Sequence, residues 1–578
     1  MVTPFYKAKQ RGEYKMRRKS SLWLVMILIP LLSSCCIAEI QSQAGNSSGT
    51  QVFVNQVGYL PDMPKWVVSV QEAKEFTVID EKTSNAVFTG TFQKIEDSTS
   101  ISDIWQGEFT NFKNPGDYHI VVPGVGQSYS FKINPKIYND VFSMGMHFYY
   151  LQRCGIEIND PLSGIKHPAC HLEDALIARK DQFYKKGERI PSFGGWHDAG
   201  DYGKYVPTTT ITIAQMLVAY ELWPDKFADK QLQFPGSENT IPDLLDEAQY
   251  GLDWLFTMQR PDGAVYHKLA GARFPGFNSP DFDGQKRYIY GITTADTGKF
   301  AATMAIAARV LKDCNPMLAD KAKSAAFKAW QFLEKHPFIY DHDDFDDEGS
   351  GAYGMNDDQV DRLWAALELS TIIEKDQPIR QFIKQLQDYR PNNINWTDAA
   401  LLGLFDYTRS SKALPELKKI TSAKIITFAD DWVEACQNSG YRYALNFTAF
   451  RWGSNREGLS RGISMMLAEQ LTSKSVYREF ALAQLDFVLG LNPLSKCFVS
   501  GMGTNTVNSL HHRLAVDSHK MILGAIPGGP NNNAESGIEI PNLGPLSYSE
   551  SSASYSSNEP AIDYNAPLVF LAAAFIGK

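Results

Sequence analysis

The sequence predicts a multidomain chain, a small N-terminal β-sandwich followed by a large all-α domain. Three observations carry this. Between Val52 and about Asn134, short β-branched or aromatic runs alternate with turn residues. From Ile137 onward, apolar residues recur at helical spacing in long segments. Those helical segments are broken by long loops rich in Gly, Pro and Asp, with no recurring strands, and such loops on a helical scaffold tend to carry function. Paired helices wound into a toroid are one architecture of this size.

The first residues read as targeting signals, not fold. Lys7, Lys9, Arg11, Lys15, Arg17, Arg18 and Lys19 precede the apolar run Leu22 to Leu32, which is too short to span a bilayer comfortably. Met16-Arg17-Arg18-Lys19 is a compact basic region and an alternative start. Leu32-Ser33-Ser34-Cys35 resembles a bacterial lipobox, with Cys35 the lipidated first residue of the mature protein. Residues 1–35 are therefore expected to be a signal peptide, and residues 36–51, rich in Ser, Gln and Gly, a flexible tether. An exported lipoprotein of the outer membrane, touching the membrane through its lipid anchor only, is the expectation; a soluble secreted protein is the alternative.

Residues 52–135 carry the strands: Val52–Val54, Trp66–Val70, Phe76–Ile79, Ala86–Phe88, Gly107–Phe109, Asp117–Val122 and Tyr129–Ile133. Asn114-Pro115-Gly116 and Pro123-Gly124 are turn signals between them. No catalytic grouping lies here, and the module reads as a buttress more than a glycan binder. Residues 137–578 form the helical domain. Ile241–Met258 opens with Pro and acids in its first turn. Asp296–Val310, Ala322–Leu333, Val360–Ile373, Trp396–Tyr407, Gly462–Leu471, Tyr477–Leu489 and a closing run Leu568–Ile576 read likewise.

Composition narrows the function. Of 578 residues, 44% are apolar and 21% charged, which marks a globular protein. A net charge of −9 argues against a nucleic-acid binder, which neutralises phosphate with basic surface. A neutral polysaccharide is compatible, and Trp254, Tyr266, Tyr290 and Trp452 are candidate platforms for sugar rings.

The densest chemistry is Gly194-Gly195-Trp196-His197-Asp198-Ala199-Gly200-Asp201-Tyr202. Asp198 and Asp201, three apart, fall on one side of a turn, and their mutual repulsion must be compensated. Far downstream, Tyr555-Ser556-Ser557-Asn558-Glu559 leads to Asp563 before the closing helix. Ser500-Gly501-Met502-Gly503-Thr504-Asn505, followed by Leu510-His511-His512-Arg513, is a loop rich in hydrogen-bond donors.

Together these stretches resemble glycoside hydrolase family 9. GGWHDAGDYGKY resembles the family's base-bearing loop, S-G-M-G-T-N-x4-L-H-H-R its His/Arg signature, and N-E-x-A-I-D-Y-N-A-P its acid-bearing signature. Residues 52–135 resemble the immunoglobulin-like domain that precedes the catalytic domain in one branch. The resemblance implies an (α/α)6 toroid with an open cleft and inverting endo-hydrolysis of β-1,4-glucosidic linkages in cellulose-type or xyloglucan chains. It implies Asp201 as base, Asp198 as the residue positioning the water, and Glu559 as acid. His511, Arg513 and Tyr555 would bind the sugar beside the cut. Inversion needs the two carboxyl groups roughly 6.5–9.5 Å apart, with the acid protonated near neutral pH. Cys497 and Glu550 depart from the usual signatures, which leaves any role for Glu550 in doubt. Narrower specificity for xyloglucan, exo-action on oligosaccharides, and a non-catalytic glycan-binding lipoprotein are the competing readings. A monomer is expected.

Cys154, Cys170, His171 and His197 raise a metal question. Spacing alone does not distinguish zinc from a Cys154–Cys170 disulfide. The resemblance implies a structural zinc on these four residues, with His167 an alternative to His197. Asp357, Asp358 and Asp361 are candidate calcium ligands, also by resemblance. The run Asp341–Glu348 reads as a solvated acidic loop.

Overall fold

The computed structural model describes residues 50–96, 103–232, 234–235, 238–340, 350–374, 377–538, 540 and 542–577. The signal peptide, the lipobox and nearly all of the tether lie outside the described residues, as does the Asp341–Glu348 run.

The N-terminal module is a sandwich of nine strands. They are β1 (Val52–Phe53), β2 (Gly58–Tyr59), β3 (Trp66–Ser69), β4 (Glu75–Asp80), β5 (Ala86–Ile95), β6 (Ile104–Glu108), β7 (Gly116–Val122), β8 (Gly126–Gln127) and β9 (Phe131–Ile133). The long strand β5 belongs to both layers. Its first half pairs antiparallel with β4 (Phe76 opposite Gly90), and its second half with β6 (Phe92 opposite Gly107). Gly90 and Gly107 leave room for the Phe76 ring, which reaches both. Phe76, Phe109, Tyr118, Ile120 and Phe131 fill the space between the layers, the alternation expected of strands buried on one face.

The helices pair into an (α/α)6 toroid. Its outer members are α1 (Ile137–Gln152), α3 (Asp243–Thr257), α5 (Pro316–Lys335), the short α7 (Ile383–Asp388), α9 (Pro415–Gln437) and α11 (Ser475–Val488). The inner members are α2 (Val206–Leu222), α4 (Thr294–Val310), α6 (Gln359–Ile372), α8 (Ala400–Arg409), α10 (Ser454–Thr472) and α14 (Ile562–Phe575). Between α11 and α14 come two short helices, α12 (Arg513–Ser518) and α13 (Tyr555–Asn558). Neighbouring inner helices pack from α2 through α4 and α6 to α8, and α14 packs on both α10 and α2. Inner helices such as α4 and α14 are buried on nearly every side. Outer helix α9 buries a single stripe, Leu417, Thr421, Ile425, Ala429, Val433 and Cys436, spaced by three or four residues. These are the two patterns that inner and outer positions require.

Helix α2 and most of α9 had no clear periodic signal. Helix α2 is rich in β-branched Thr, which lowers helix propensity. Burial overrides this, and Thr210 returns its hydroxyl hydrogen to the Val206 carbonyl at 2.8 Å. The helical domain also contains small sheets, contrary to the strand-free expectation. Leu176–Ile177, Lys204–Tyr205, Lys268–Gly271 and Arg287–Ile289 form one, and Val265–Tyr266 pairs with Ile292–Thr293. Strands of two to four residues are too short to show a period.

The module and the toroid share buried polar contacts. Asn55 donates to Asp486 Oδ1 on α11 at 2.8 Å. Gln56 donates to the Ser495 carbonyl at 2.7 Å and accepts from the backbone N–H groups of Thr504 and Asn505 at 3.1 and 2.8 Å. The Arg442 guanidinium lies 4.0 Å from the Trp66 ring centroid.

Candidate active site

The Gly194–Tyr202 loop lies over the N-terminal end of α2. Trp196 is fully buried and donates its indole N–H to Glu247 Oε1 at 2.7 Å. Gln152, the last residue of α1, donates to the carbonyls of His197 and Ala199 at 3.0 and 2.8 Å, and its Oε1 meets His512 Nε2 at 2.9 Å. One side chain thus ties the first acidic loop to the His/Arg segment.

Gly200 brings the third segment in. A Cβ there would sit 2.0 Å from the His511 carbonyl oxygen, a distance no side chain tolerates. Without it, the Gly200 carbonyl accepts from Arg513 N–H at 3.0 Å and the Gly200 N–H donates to Glu559 Oε1 at 3.2 Å. Ile562 N–H closes the interlock on the Asp198 carbonyl at 2.8 Å. Three stretches distant in sequence therefore meet at one point, which is the floor of an open cleft of about 850 Å³.

Asp198, Asp201, Glu559, His511, Arg513 and Tyr555 all line that cleft. Asp198 accepts from the Thr208 hydroxyl on one oxygen and from the Tyr353 hydroxyl, at 2.6 Å, on the other. Burial holds its carboxyl well above the usual carboxylate range; the Asp563 charge adds to this, and the two hydroxyls oppose it. Asp201 accepts from Gly203 N–H at 3.1 Å. Burial raises its carboxyl too, against the pull of Arg513. Glu559 is pushed up to about 8, first by burial and then by the Asp201 charge. A carboxylic acid that keeps its proton near neutral pH thus shares the cleft with a less strongly perturbed carboxylate. That division of labour is what acid-plus-base chemistry requires.

Arg513 supplies local positive charge. Its Nη1 lies 3.9 Å from Glu559 Oε1 and is buried without a hydrogen-bond partner among the described residues, while Nε donates to the Pro275 carbonyl at 3.2 Å. The His511 ring is tied through Nδ1 to the Ser552 carbonyl. Tyr555 donates to the Glu535 carbonyl at 2.6 Å, with Trp452 5.5 Å from it between ring centroids. Asp563 turns away to Arg456 at 2.9 Å.

Of the four proposed sugar platforms, Trp452, 40% exposed, lines the cleft. Trp254 is a correction: it is fully buried in the stripe of α3 and packs against Gly195. Tyr266 is also buried and donates to Asp181 at 2.6 Å. The Tyr290 hydroxyl donates to the Gly271 carbonyl at 3.3 Å. Glu550 does not line the cleft, since Lys496 pairs with it at 2.6 Å. Sequence reasoning missed Tyr353, Trp396, Tyr205 and Phe274 in the cleft wall. The signal for Tyr353 is faint: an aromatic between glycines in a long loop.

Cys154, Cys170, His171 and His197 converge. Their ligand atoms all lie within 4.8 Å of one another, and both cysteines are free thiols rather than a disulfide. Cys154 Sγ is 3.6 Å from His171 Nδ1, Cys170 Sγ is 3.8 Å from His197 Nε2, and the two imidazole nitrogens are 3.3 Å apart. A tetrahedral ion with metal–S near 2.3 Å and metal–N near 2.05 Å has edges of about 3.5 Å between S and N and about 3.3 Å between nitrogens. The four residues fit such an ion. His171 Nε2 also faces Asp283 at 3.5 Å, the carboxylate partner that orients a ligating histidine. His167 is not in the group; its Nδ1 is held on the Pro168 carbonyl at 2.7 Å.

The three candidate calcium ligands take separate partners. Asp361 points into the toroid and pairs with Lys299 at 2.8 Å, Asp358 pairs with Arg362 at 2.9 Å, and Asp357 is exposed and accepts from Gln359 N–H. A cation thus faces each of two of these acids, and among the described residues the three are not gathered around one point.

Paired carboxyl groups with separated proton affinities, in an open cleft at the end of a helical toroid, are the arrangement of a glycoside hydrolase, and the chain's relatives place it in that class. The chain belongs to glycosyl hydrolase family 9, whose model matches residues 138–572, and residues 47–127 match the cellulase N-terminal ig-like domain. It is 32% identical over 552 residues to the xyloglucan-specific endo-beta-1,4-glucanase BoGH9A of Bacteroides ovatus, covering 90% of this chain and 93% of the relative. A metagenome-derived glycoside hydrolase family 9 endoglucanase of known crystal structure superposes with a TM-score of 0.88 at 42% identity, covering 91% and 99% of the two chains. A Zn-binding triple mutant of the family 9 endoglucanase J30 superposes at 0.85 with 34% identity, covering 90% and 99%.

Proposed function

We propose that this protein is an inverting endo-acting hydrolase of β-1,4-glucosidic linkages in plant cell-wall glucans. The observation that carries this reading is the Glu559 carboxyl, lifted to about 8 and facing the same cleft as Asp201 and Asp198. Glu559 gives its proton to the glycosidic oxygen as the C–O bond breaks. Asp201 takes a proton from a water that attacks the anomeric carbon on the opposite face, so the configuration inverts. Asp198, gripped by Thr208 and Tyr353, keeps a free lone pair on each oxygen and positions that water. Arg513, His511 and Tyr555 bind the sugar beside the cut. The Nη1 of Arg513, buried and without a hydrogen bond among the described residues, is a donor ready for a hydroxyl.

A narrower reading, a xyloglucan backbone as preferred substrate, is favoured by the Bacteroides ovatus relative, whose name carries that specificity. Reducing-sugar release and product lengths on cellulose, xyloglucan and barley glucan test both readings. A mixture of internal products supports endo-action, and no hydrolysis of any of the three overturns the assignment.

The Cys154, Cys170, His171 and His197 group is proposed to hold a structural zinc, supported by its tetrahedral spacing. It would brace the loop that carries Asp198 and Asp201. The N-terminal basic and apolar runs and Cys35 support export and lipid anchoring at the outer membrane; among the described residues, no helix is long and apolar enough to cross a membrane. The protein is proposed to act as a monomer on a β-glucan. Mass spectrometry of the mature N-terminus tests the anchor: an unmodified residue other than Cys35 would refute it.

A further inference from the structure

The loop of residues 272–286 joins the strands Lys268–Gly271 and Arg287–Ile289 at the rim of the cleft. It carries three phenylalanines that stay out of the core: Phe274 is 52% exposed, Phe277 47% and Phe282 76%. Large apolar side chains held open to water ask for an occupant.

Two of the rings are held in place. The Arg513 guanidinium sits 5.6 Å from the ring centroids of both Phe274 and Phe277, and its Nε grips the Pro275 carbonyl between them. Phe277 meets His511 edge-on at 5.4 Å, and His511 in turn lies 5.9 Å from Tyr555. The aromatic row on this rim therefore runs Trp452, Tyr555, His511, Phe277. Phe274 faces the cleft itself. The far side of the loop is fastened too. Tyr202 donates to the Asn278 carbonyl, Ser279 N–H donates to Asp517 at 3.2 Å, and Asp283 faces His171 of the metal-competent cluster at 3.5 Å.

We propose that loop 272–286 is a specificity-determining platform, on which Phe274 and Phe277 take the apolar face of a further pyranose ring of the glucan chain. We place its anchor in the contact between Asp283 and His171. The inference rests on the glucan-hydrolase reading and adds to it the residues that grip the chain beyond the reacting sugar. A phenyl ring has no polar handle, so it selects the C–H face of a pyranose and leaves the hydroxyls to Arg513 and His511. Fastening on both sides fixes the platform before substrate arrives, which lowers the ordering cost of binding.

The test is calorimetric titration of the full chain carrying Glu559→Gln with cellohexaose and cellotriose. Phe274→Ala and Phe277→Ala are each expected to weaken cellohexaose binding about five- to twentyfold, with a smaller effect on cellotriose. Phe274→Tyr, which keeps a stacking ring, should restore it. Asp283→Asn, titrated in excess zinc so that elemental analysis shows the metal site filled as in the parent, should weaken cellohexaose similarly. Equal cellohexaose affinity in both alanine variants overturns the platform, and unchanged affinity in Asp283→Asn overturns the anchor. If the parent binds neither sugar and the wild type hydrolyses no glucan, the hydrolase reading itself falls, and the platform with it.

Discussion

Replacing Glu559 with Gln should make the protein less active and more stable, with the gain in stability dependent on pH. Burial and the Asp201 charge raise this carboxyl from 4.5 to about 8. Between those values the folded state holds a proton that the unfolded chain has released. Stability therefore falls as pH rises through that window, with no cost below it and a constant cost above it. At about 1.4 kcal/mol per pH unit, the burden is about 3 kcal/mol at pH 7. Gln has nearly the same shape, can accept from Gly200 N–H, and cannot ionise, so it removes the burden. Unfolding entropy near 2.1 cal/mol/K per residue gives about 1 kcal/mol/K for a chain of this length, so the expected rise in Tm is about 3 °C at pH 7 and near zero at pH 4. Loss of a general acid lowers turnover by about 10²–10⁴. Scanning calorimetry of both proteins at pH 4, 7 and 8.5, beside a reducing-sugar assay, reads both effects. A Tm difference that does not change with pH, or a variant less stable than wild type at pH 8.5, would refute the reasoning.

The kcat/KM profile of the wild type should fall on the alkaline side near pH 8 as Glu559 loses its proton, and on the acid side above the usual Asp range as Asp201 gains one. An alkaline limb below pH 6 would contradict the assignment. Tyr353→Phe removes one of the two hydroxyls on Asp198 and should lower kcat about tenfold with little change in KM, as measured on soluble glucan. Cys170→Ser should abolish the bound metal and lower Tm, read by elemental analysis and calorimetry; retained metal would contradict the four-ligand site. Lys299→Met strands Asp361 in the toroid and should cost about 3–5 kcal/mol in denaturant unfolding.

How much of this could be read from the sequence depends on where the chemistry is concentrated. The segments of Asp198, Asp201 and Glu559 stand out by their density of acids, glycines and aromatics, their roles come from the family resemblance, and the structure brings the three into one cleft. Tyr353 does not stand out, because its contact with Asp198 spans 155 residues and its loop has no period. Trp254 stays open in the sequence because an aromatic at helical spacing fits a core stripe as well as a binding face, and the structure places it in the core. For the Asp357–Asp361 stretch the sequence shows the acids but not the cation that faces Asp361, because Lys299 sits on a different helix. Among the elements, α2 was hidden by its threonines. The small sheets were hidden by their length, since two residues carry no alternation.

The Gln56 contact has a consequence for how this protein can be cut and recombined. Gln56 accepts from Thr504 and Asn505 in the turn that leads to His511, and Asn55 satisfies Asp486 inside α11. Removing the sandwich would strip partners from the segment that supplies Arg513 and take from the buried Asp486 carboxyl its shorter hydrogen bond, leaving it the Tyr138 hydroxyl at 3.4 Å. The N-terminal module is therefore not an accessory that can be exchanged between enzymes. A chimera should carry both halves or redesign the Gln56 seam.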